Sequence, residues 1–250
     1  MCSHNQKVRR LNISLKKKVE EVKNGKICPF CYLSSDEFVF LTTDTFYVIP
    51  SVGPLAEFHL LIVPFLCVPS MREIICTDGK IKREFCNLIN TIVNKFVAIP
   101  GASKEILFFE HGRIGKSVEH AHMHFIYPFS EEEYHTLVEA IKGDFGLPNI
   151  TQNTDSNKLS DLLCKASGEY ILVLFAKTKY ETYNTQYYSV NIWDNIMITS
   201  QYLRKKLAEI RGEYKYYKEL YDWREYPKID EVRKMINKLQ KLRGDETDEH

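Results

Sequence analysis

The 250-residue sequence has no apolar run approaching the ~18 residues of a helical membrane span, which excludes an integral membrane protein of that kind. Its first 26 residues are polar and basic and lack the apolar core of a secretory signal, so a cytoplasmic protein is expected. An excess of one charge is missing too. Lys and Arg number 34 against 33 Asp and Glu, so no global field argues for nucleic acid or a membrane surface as partner. A phosphate-bearing small molecule stays open, because a small site needs only local donors. There are no internal repeats. Asp144-Phe145-Gly146 matches a kinase triplet, but no glycine-rich loop or catalytic loop accompanies it.

What is present is an ordinary globular composition, 44% apolar and 12% aromatic, enough for one large domain or a domain with an extension. Seven cysteines, an odd number, read in a reducing compartment as thiols or metal ligands before disulfides.

Helical spacing of Leu15, Val19 and Val22 predicts a helix over 14–24, with Lys16-Lys17-Lys18 as its solvated face. Short β-type runs follow at Phe38–Leu41, Phe46–Ile49 and His59–Val63. The clearest helix spans Lys80–Ala98, with one apolar stripe from Ile81 to Phe96. Ile106–Glu110 and His120–Tyr127 read as strands around a glycine turn. Ser130 with Glu133 forms a capping box that opens a helix to about Lys142. The polar, breaker-rich stretch 143–157 reads as a mobile insertion. Tyr170–Phe175 and Gln186–Trp193 are further strand candidates, and helices are expected over 200–212 and 229–242. The pattern implies an α+β domain with a helical C-terminal extension.

The run His120-Ala121-His122-Met123-His124 carries the chemistry. In a strand, alternate side chains share a face, so the three imidazoles would project together, roughly 6.5–7 Å apart. One imidazole can then attack a phosphorus while its neighbour donates a proton or holds an oxygen, and imidazoles titrate near neutral pH. Upstream, Gly112, Gly115 and Ser117 form a turn whose N–H groups can approach phosphate, with Lys116 adding charge. Cys28-Pro29-Phe30-Cys31 is a C-x-x-C knuckle, which by itself leaves free thiols and a metal site as alternatives.

The segment from Gly115 to Pro128 resembles the signature of the histidine triad (HIT) nucleotide-binding family, and Pro54–Pro64, with His59, resembles that family's preceding strand. The resemblance covers roughly residues 27–180. It implies an antiparallel sheet of about five strands with the long helix packed on it, and a homodimer whose sheets join. It divides the chain into a helical segment 1–26, a catalytic domain 27–180 and a mainly helical extension 181–250.

The same resemblance implies residue roles. His122 would attack the α-phosphorus and form a covalent nucleotidyl-histidine. His124 would contact the phosphate or the leaving group, His120 would orient the strand, and His59 would support the triad from behind. Gly115, Lys116 and Ser117 would hold phosphate, His111 would face it, and Ser51 falls at the ribose contact. Lys116 replaces the usual glutamine, Phe58 the usual glycine, and Ser51 the usual acidic or amide residue. These departures make a non-catalytic nucleotide-binding scaffold the rival reading. Transferases related to galactose-1-phosphate uridylyltransferase carry Gln at the third position, so His124 favours hydrolysis of a dinucleoside polyphosphate, a phosphoramidate or a similar conjugate. Bacterial members of zinc-knuckle type imply a structural Zn²⁺ on Cys28, Cys31, Cys67 and His120. Tyr221–Pro227, after Ser200–Arg204, resembles an extension of some members, with Trp223 and Arg224 helping to close the pocket.

Overall fold

The computed structural model describes residues 8–101, 105–115, 117–178, 186–212 and 221–244. Lys116 lies outside them. In chain order the elements are β1 (Arg9–Arg10), α1 (Leu15–Lys23), β2 (Tyr32–Leu33), β3 (Leu41–Thr42), β4 (Phe46–Pro50), β5 (Phe58–Pro64), α2 (Met71–Ile75) and α3 (Gly79–Val97). There follow β6 (Glu105–Glu110), β7 (Met123–Tyr127), α4 (Glu131–Phe145), β8 (Ile150–Thr154), α5 (Ser156–Leu163), β9 (Tyr170–Thr178), β10 (Gln186–Asp194), α6 (Tyr202–Ile210) and α7 (Ile229–Gly244). None of the described helices is long and apolar enough to cross a membrane.

Eight strands form one antiparallel sheet in the order β3-β4-β5-β7-β6-β9-β10-β8, and β1 pairs with β2 in a small parallel ribbon. The class is the α+β one expected, but the strand count is not about five. The stretch 143–157 accounts for part of the difference. It holds the end of α4 and then β8, whose five residues pair with β10. Its polar residues, exposed from Thr151 to Asn153, are those of an edge strand, which a breaker count cannot tell from a loop. Gly146, at φ +80°, ends α4 instead of forming part of a kinase triplet. The boundary expected near residue 180 falls between β9 and β10, which pair over nine residues. From Tyr202 on, the described regular structure is helical, as the spacing predicts.

Both faces of the sheet are covered, so its central strands read as near-continuous apolar runs. On one face Phe58, Leu60, Ile62, Met123 and Phe125 pack under the stripe of α3, with α2, α5 and α7 around it. On the other face Leu107, Phe109, Ile126, Ile171 and Val173 pack against α4 and α6. The period-two alternation of β5 and β7 therefore turns His59 and His124 to the α4/α6 face, while their neighbours anchor the strands in the larger core. Capping fixes α4, where the Ser130 hydroxyl accepts from Glu133 N and the Glu133 carboxylate accepts from Ser130 N.

Three cysteines depart from the expectation of thiols or metal ligands, while Cys28, Cys31 and Cys86 remain thiols. Cys76 and Cys164 form a disulfide that links α2 to the end of α5, and Cys67 is also disulfide-bonded. Lys18 departs as well. It does not belong to a solvated face: it is 3% exposed and ion-paired with buried Glu37.

Candidate functional site

The three triad imidazoles do not share a strand. β7 begins at Met123, and Ala121 N donates to Val68 O, outside the sheet ladder. This break gives each histidine its own setting. His124 sits in β7 with Leu61 of β5 and Phe109 of β6 as its cross-strand neighbours, its ring stacked on Phe109 at 4.2 Å. His122 faces it across 5.0 Å between ring centroids and packs on Phe30 at 4.9 Å.

Backbone groups assign the tautomers. Leu55 N donates to His59 Nδ1 at 3.1 Å, so the proton of the neutral ring is on Nε2. That Nε2–H donates to His124 Nδ1 at 2.8 Å, which leaves the His124 proton on Nε2. His122 Nδ1 lies 2.8 Å from the His120 carbonyl, which can only accept, so His122 Nε2 carries a lone pair. His120 Nε2 donates to Pro64 O at 2.9 Å, and its Nδ1 lone pair turns toward Cys31 and Cys28. Burial holds both His59 and His124 well below the usual imidazole pKa. For His59 the Arg204 guanidinium adds to this, and for His124 the neighbouring His122 and His59 rings do. Both rings are therefore neutral near pH 7.

These groups open on a cleft with two unlike walls. One wall is apolar: Leu15, Val19 and Val22 of α1 with Phe30, Ile49 and Leu61. The other is polar: His111, Gly115, Ser117, His122, His124, Gln201 and Arg204, with Trp223 beside them. Ser51 also lines the cleft, with its hydroxyl on Val52 O. Of the expected site residues, His122, His124, His111, Gly115, Ser117 and Ser51 thus meet in one cavity. His59 lies behind His124, and His120 turns away toward the cysteines.

The C-terminal segment finishes this wall. Trp223 Nε1 donates to Ser117 Oγ at 3.0 Å, and Arg224 donates to Ser117 O. Gly115 has φ +59°, and a Cβ there would stand 2.3 Å from Ile198 Cδ1, so the turn admits only glycine. Arg204 and Gln201 were not singled out by sequence reasoning. Arg204 is buried and donates to Gly53 O at 2.6 Å and Tyr221 O at 2.8 Å. Burial pulls its guanidinium pKa down to about 10, with Asp222 opposing.

Among the described residues, Cys28, Cys31 and His120 form a group that can hold a metal ion, with all ligand atoms within 4.8 Å of one another. His120 Nδ1 is 3.4 Å from Cys31 Sγ and 3.7 Å from Cys28 Sγ. A tetrahedral zinc needs edges of about 3.5–3.8 Å, given Zn–S near 2.3 Å and Zn–N near 2.0 Å. The thiol of Cys31 hydrogen-bonds Cys28 and pulls it down to about 4, against burial and with help from His120, so the pair presents a thiolate. Cys67, the expected fourth ligand, is not part of this group. Its sulfur is in a disulfide and has no thiolate to offer.

Residues 27–137 match a family model described as scavenger mRNA decapping enzyme C-term binding. No curated protein matches the chain. Among solved structures, a HIT family hydrolase from Clostridium thermocellum is similar at 17% identity, covering 45% of this chain and 90% of that one with a TM-score of 0.28. The matched segment, under half of the chain, contains His59, the knuckle cysteines and all three histidines of the run, and it supports membership of the histidine triad (HIT) superfamily.

Proposed function

We propose that the chain hydrolyses a nucleoside 5′-phosphate derivative through a covalent intermediate on His122. The observation that carries this reading is the hydrogen bond from His122 Nδ1 to the His120 carbonyl, which puts the ring's lone pair on Nε2 in a residue that lines the cleft. Nε2 attacks the α-phosphorus, a P–N bond forms, and the bond from phosphorus to the leaving group breaks. Water then attacks the same phosphorus, the P–N bond breaks, and a nucleoside 5′-monophosphate and a proton are released. His124, neutral with its proton on Nε2, donates a hydrogen bond toward the oxygens that gain charge. His59 keeps that proton in place, and Ser117 with the Gly115 turn holds the phosphate. The apolar wall of α1, Phe30 and Ile49 receives the base.

We assign Cys28, Cys31 and His120 to a structural zinc, which ties the N-terminal segment to the start of the triad. A homodimer built by joining the large sheets would use β3 or β8, since every other strand of the eight-stranded sheet is flanked on both sides.

The test is a hydrolysis screen across dinucleoside polyphosphates, nucleoside phosphoramidates and sugar nucleotides, run beside His122→Ala. Turnover by the native chain should disappear in the variant while nucleotide binding stays measurable, and mass spectrometry of rapidly quenched enzyme should find a nucleotidyl adduct on His122. Nucleotide binding with no turnover of any member of the panel would mark a binding protein instead.

A further inference from the structure

Three features at the start of α6 leave polar groups open to a ligand beside the cleft. Arg204 is 3% exposed and its side chain donates to two backbone carbonyls; among the described residues no carboxylate forms an ion pair with it, and Asp222 acts on it only at longer range. A buried guanidinium without a carboxylate is costly unless an anion completes it. Gln201 is 6% exposed, lines the same cavity, and its side-chain Oε1 finds no hydrogen-bond partner. Its amide can present either end to a ligand, since oxygen and nitrogen exchange by rotation of the amide. Finally, Gln201 is the N-cap of α6 and makes no side-chain cap bond, and the first turn has no acidic residue, so no carboxylate offsets the positive end of the helix.

The position of these groups is set by the triad's own surroundings. Gln201 N donates to Gly115 O at 2.8 Å, and Leu203 N donates to His111 Nε2 at 3.0 Å. Gln201 itself holds a left-handed backbone, φ +61°, which turns the chain into the helix at this point.

We propose that Gln201, Arg204 and the first turn of α6 form an anion subsite beside the triad, which holds the phosphate or phosphates of the leaving group. The proposal rests on the reading of the triad given above and narrows its substrate class. A leaving group that is itself a phosphate chain fits the subsite, whereas an amine of a phosphoramidate brings no anion to it. Gln201 and Arg204 lie outside the segment 27–137 that carries the triad, so the subsite is a contribution of the C-terminal part of the chain.

The experiment compares binding of a nucleoside 5′-monophosphate with that of the corresponding α,β-methylene triphosphate, whose carbon bridge cannot be split by attack at the α-phosphorus. The full chain should hold the triphosphate analogue at least about tenfold more tightly, as charge-assisted bonds to added phosphates require. Gln201→Glu, similar in size but opposed in charge, should remove that advantage and change monophosphate affinity by less than about threefold. Arg204→Lys keeps the charge and loses the fork, and should give an intermediate loss. Equal affinity of the native chain for the two ligands overturns the subsite whatever the variants do. Equal loss of both ligands in folded Gln201→Glu overturns it as well. If neither ligand binds the native chain, the cleft is not a nucleotide site and both readings fall together.

Discussion

His59 donates its Nε2 proton to His124 Nδ1 across 2.8 Å, and the backbone N–H of Leu55 on the far side of His59 keeps that direction from reversing. A proton on His124 Nε2 is thus set by a peptide group two rings away. His59→Ala should lower kcat about 100-fold, the lower end of what a positioned proton donor contributes, with KM little changed. The pH profile separates this positioning role from a structural one. Released from His59, His124 is free to change tautomer, and the acid limb of kcat should move. An unchanged kcat would dismiss the relay.

Acid stability follows from the same two rings. His59 and His124 are held neutral by burial in the folded chain, so below the unfolded value near 6.5 the unfolded state takes up protons that the folded state refuses. The stabilisation is complete above pH 6.5 and is lost as pH falls from there toward the depressed folded values. Each ring should contribute a fall of about 1.4 kcal/mol per pH unit in that window. Urea denaturation at several pH values should show His124→Asn to be less acid-sensitive by one such increment. An identical slope would mean that His124 is charged in the fold.

Lys18 and Glu37 form a buried ion pair in which Glu37 Oε2 also accepts from Ser34 N at 2.9 Å. Lys18→Met leaves that carboxylate buried without its cation and should cost about 3–5 kcal/mol in denaturant unfolding. The double variant Lys18→Met with Glu37→Leu should regain much of the loss. Because both residues line the cleft, bound nucleotide should protect the native chain from denaturant more than it protects either variant.

Metal analysis after purification without chelators should find zinc bound, and Cys31→Ser should abolish it and lower Tm. Zinc content near zero in the native chain would dismiss the site.

The Cys76–Cys164 disulfide closes a loop of 88 residues in sequence separation. Cys164→Ser should cost about 2–4 kcal/mol, measured as a shift of the urea midpoint at unchanged slope. A mass two hydrogens below that of the reduced form, for the pair in freshly alkylated protein, would confirm the bond. Full alkylation of both thiols would support the cytoplasmic setting read from the sequence.

Strong periodicity made the centre of the fold legible. The stripe of α3, the apolar runs of β5 and β7 and the Ser130 capping box each rest on local chemistry that survives packing. The candidate site was legible where its residues are neighbours in sequence. Its other half was legible only through the resemblance that named Trp223, because Arg204 and Gln201 reach the triad from about 80 residues away. A signal did exist for one missed residue. Lys18 stands on the i, i+3, i+4, i+7 stripe of Leu15, Val19 and Val22, where a cation has to be paired or face a ligand. Reading Lys16-Lys17-Lys18 as a charge run hid that placement. β8 was missed for the opposite reason: an edge strand whose middle residues, Thr151 to Asn153, are polar and exposed carries too little apolar signal.

The contact between Gly53 and Trp223 has a consequence for how the chain can be divided. A Cβ on Gly53 would stand 2.8 Å from Trp223 Cβ, so the loop before the His59 strand was shaped around a residue 170 positions later. A fragment ending near residue 137 would keep the triad and lose the indole, the α6 turn and Arg204 together. The triad segment is therefore not a portable module. Excised or grafted, it would carry His122 into solvent with half of its cleft missing.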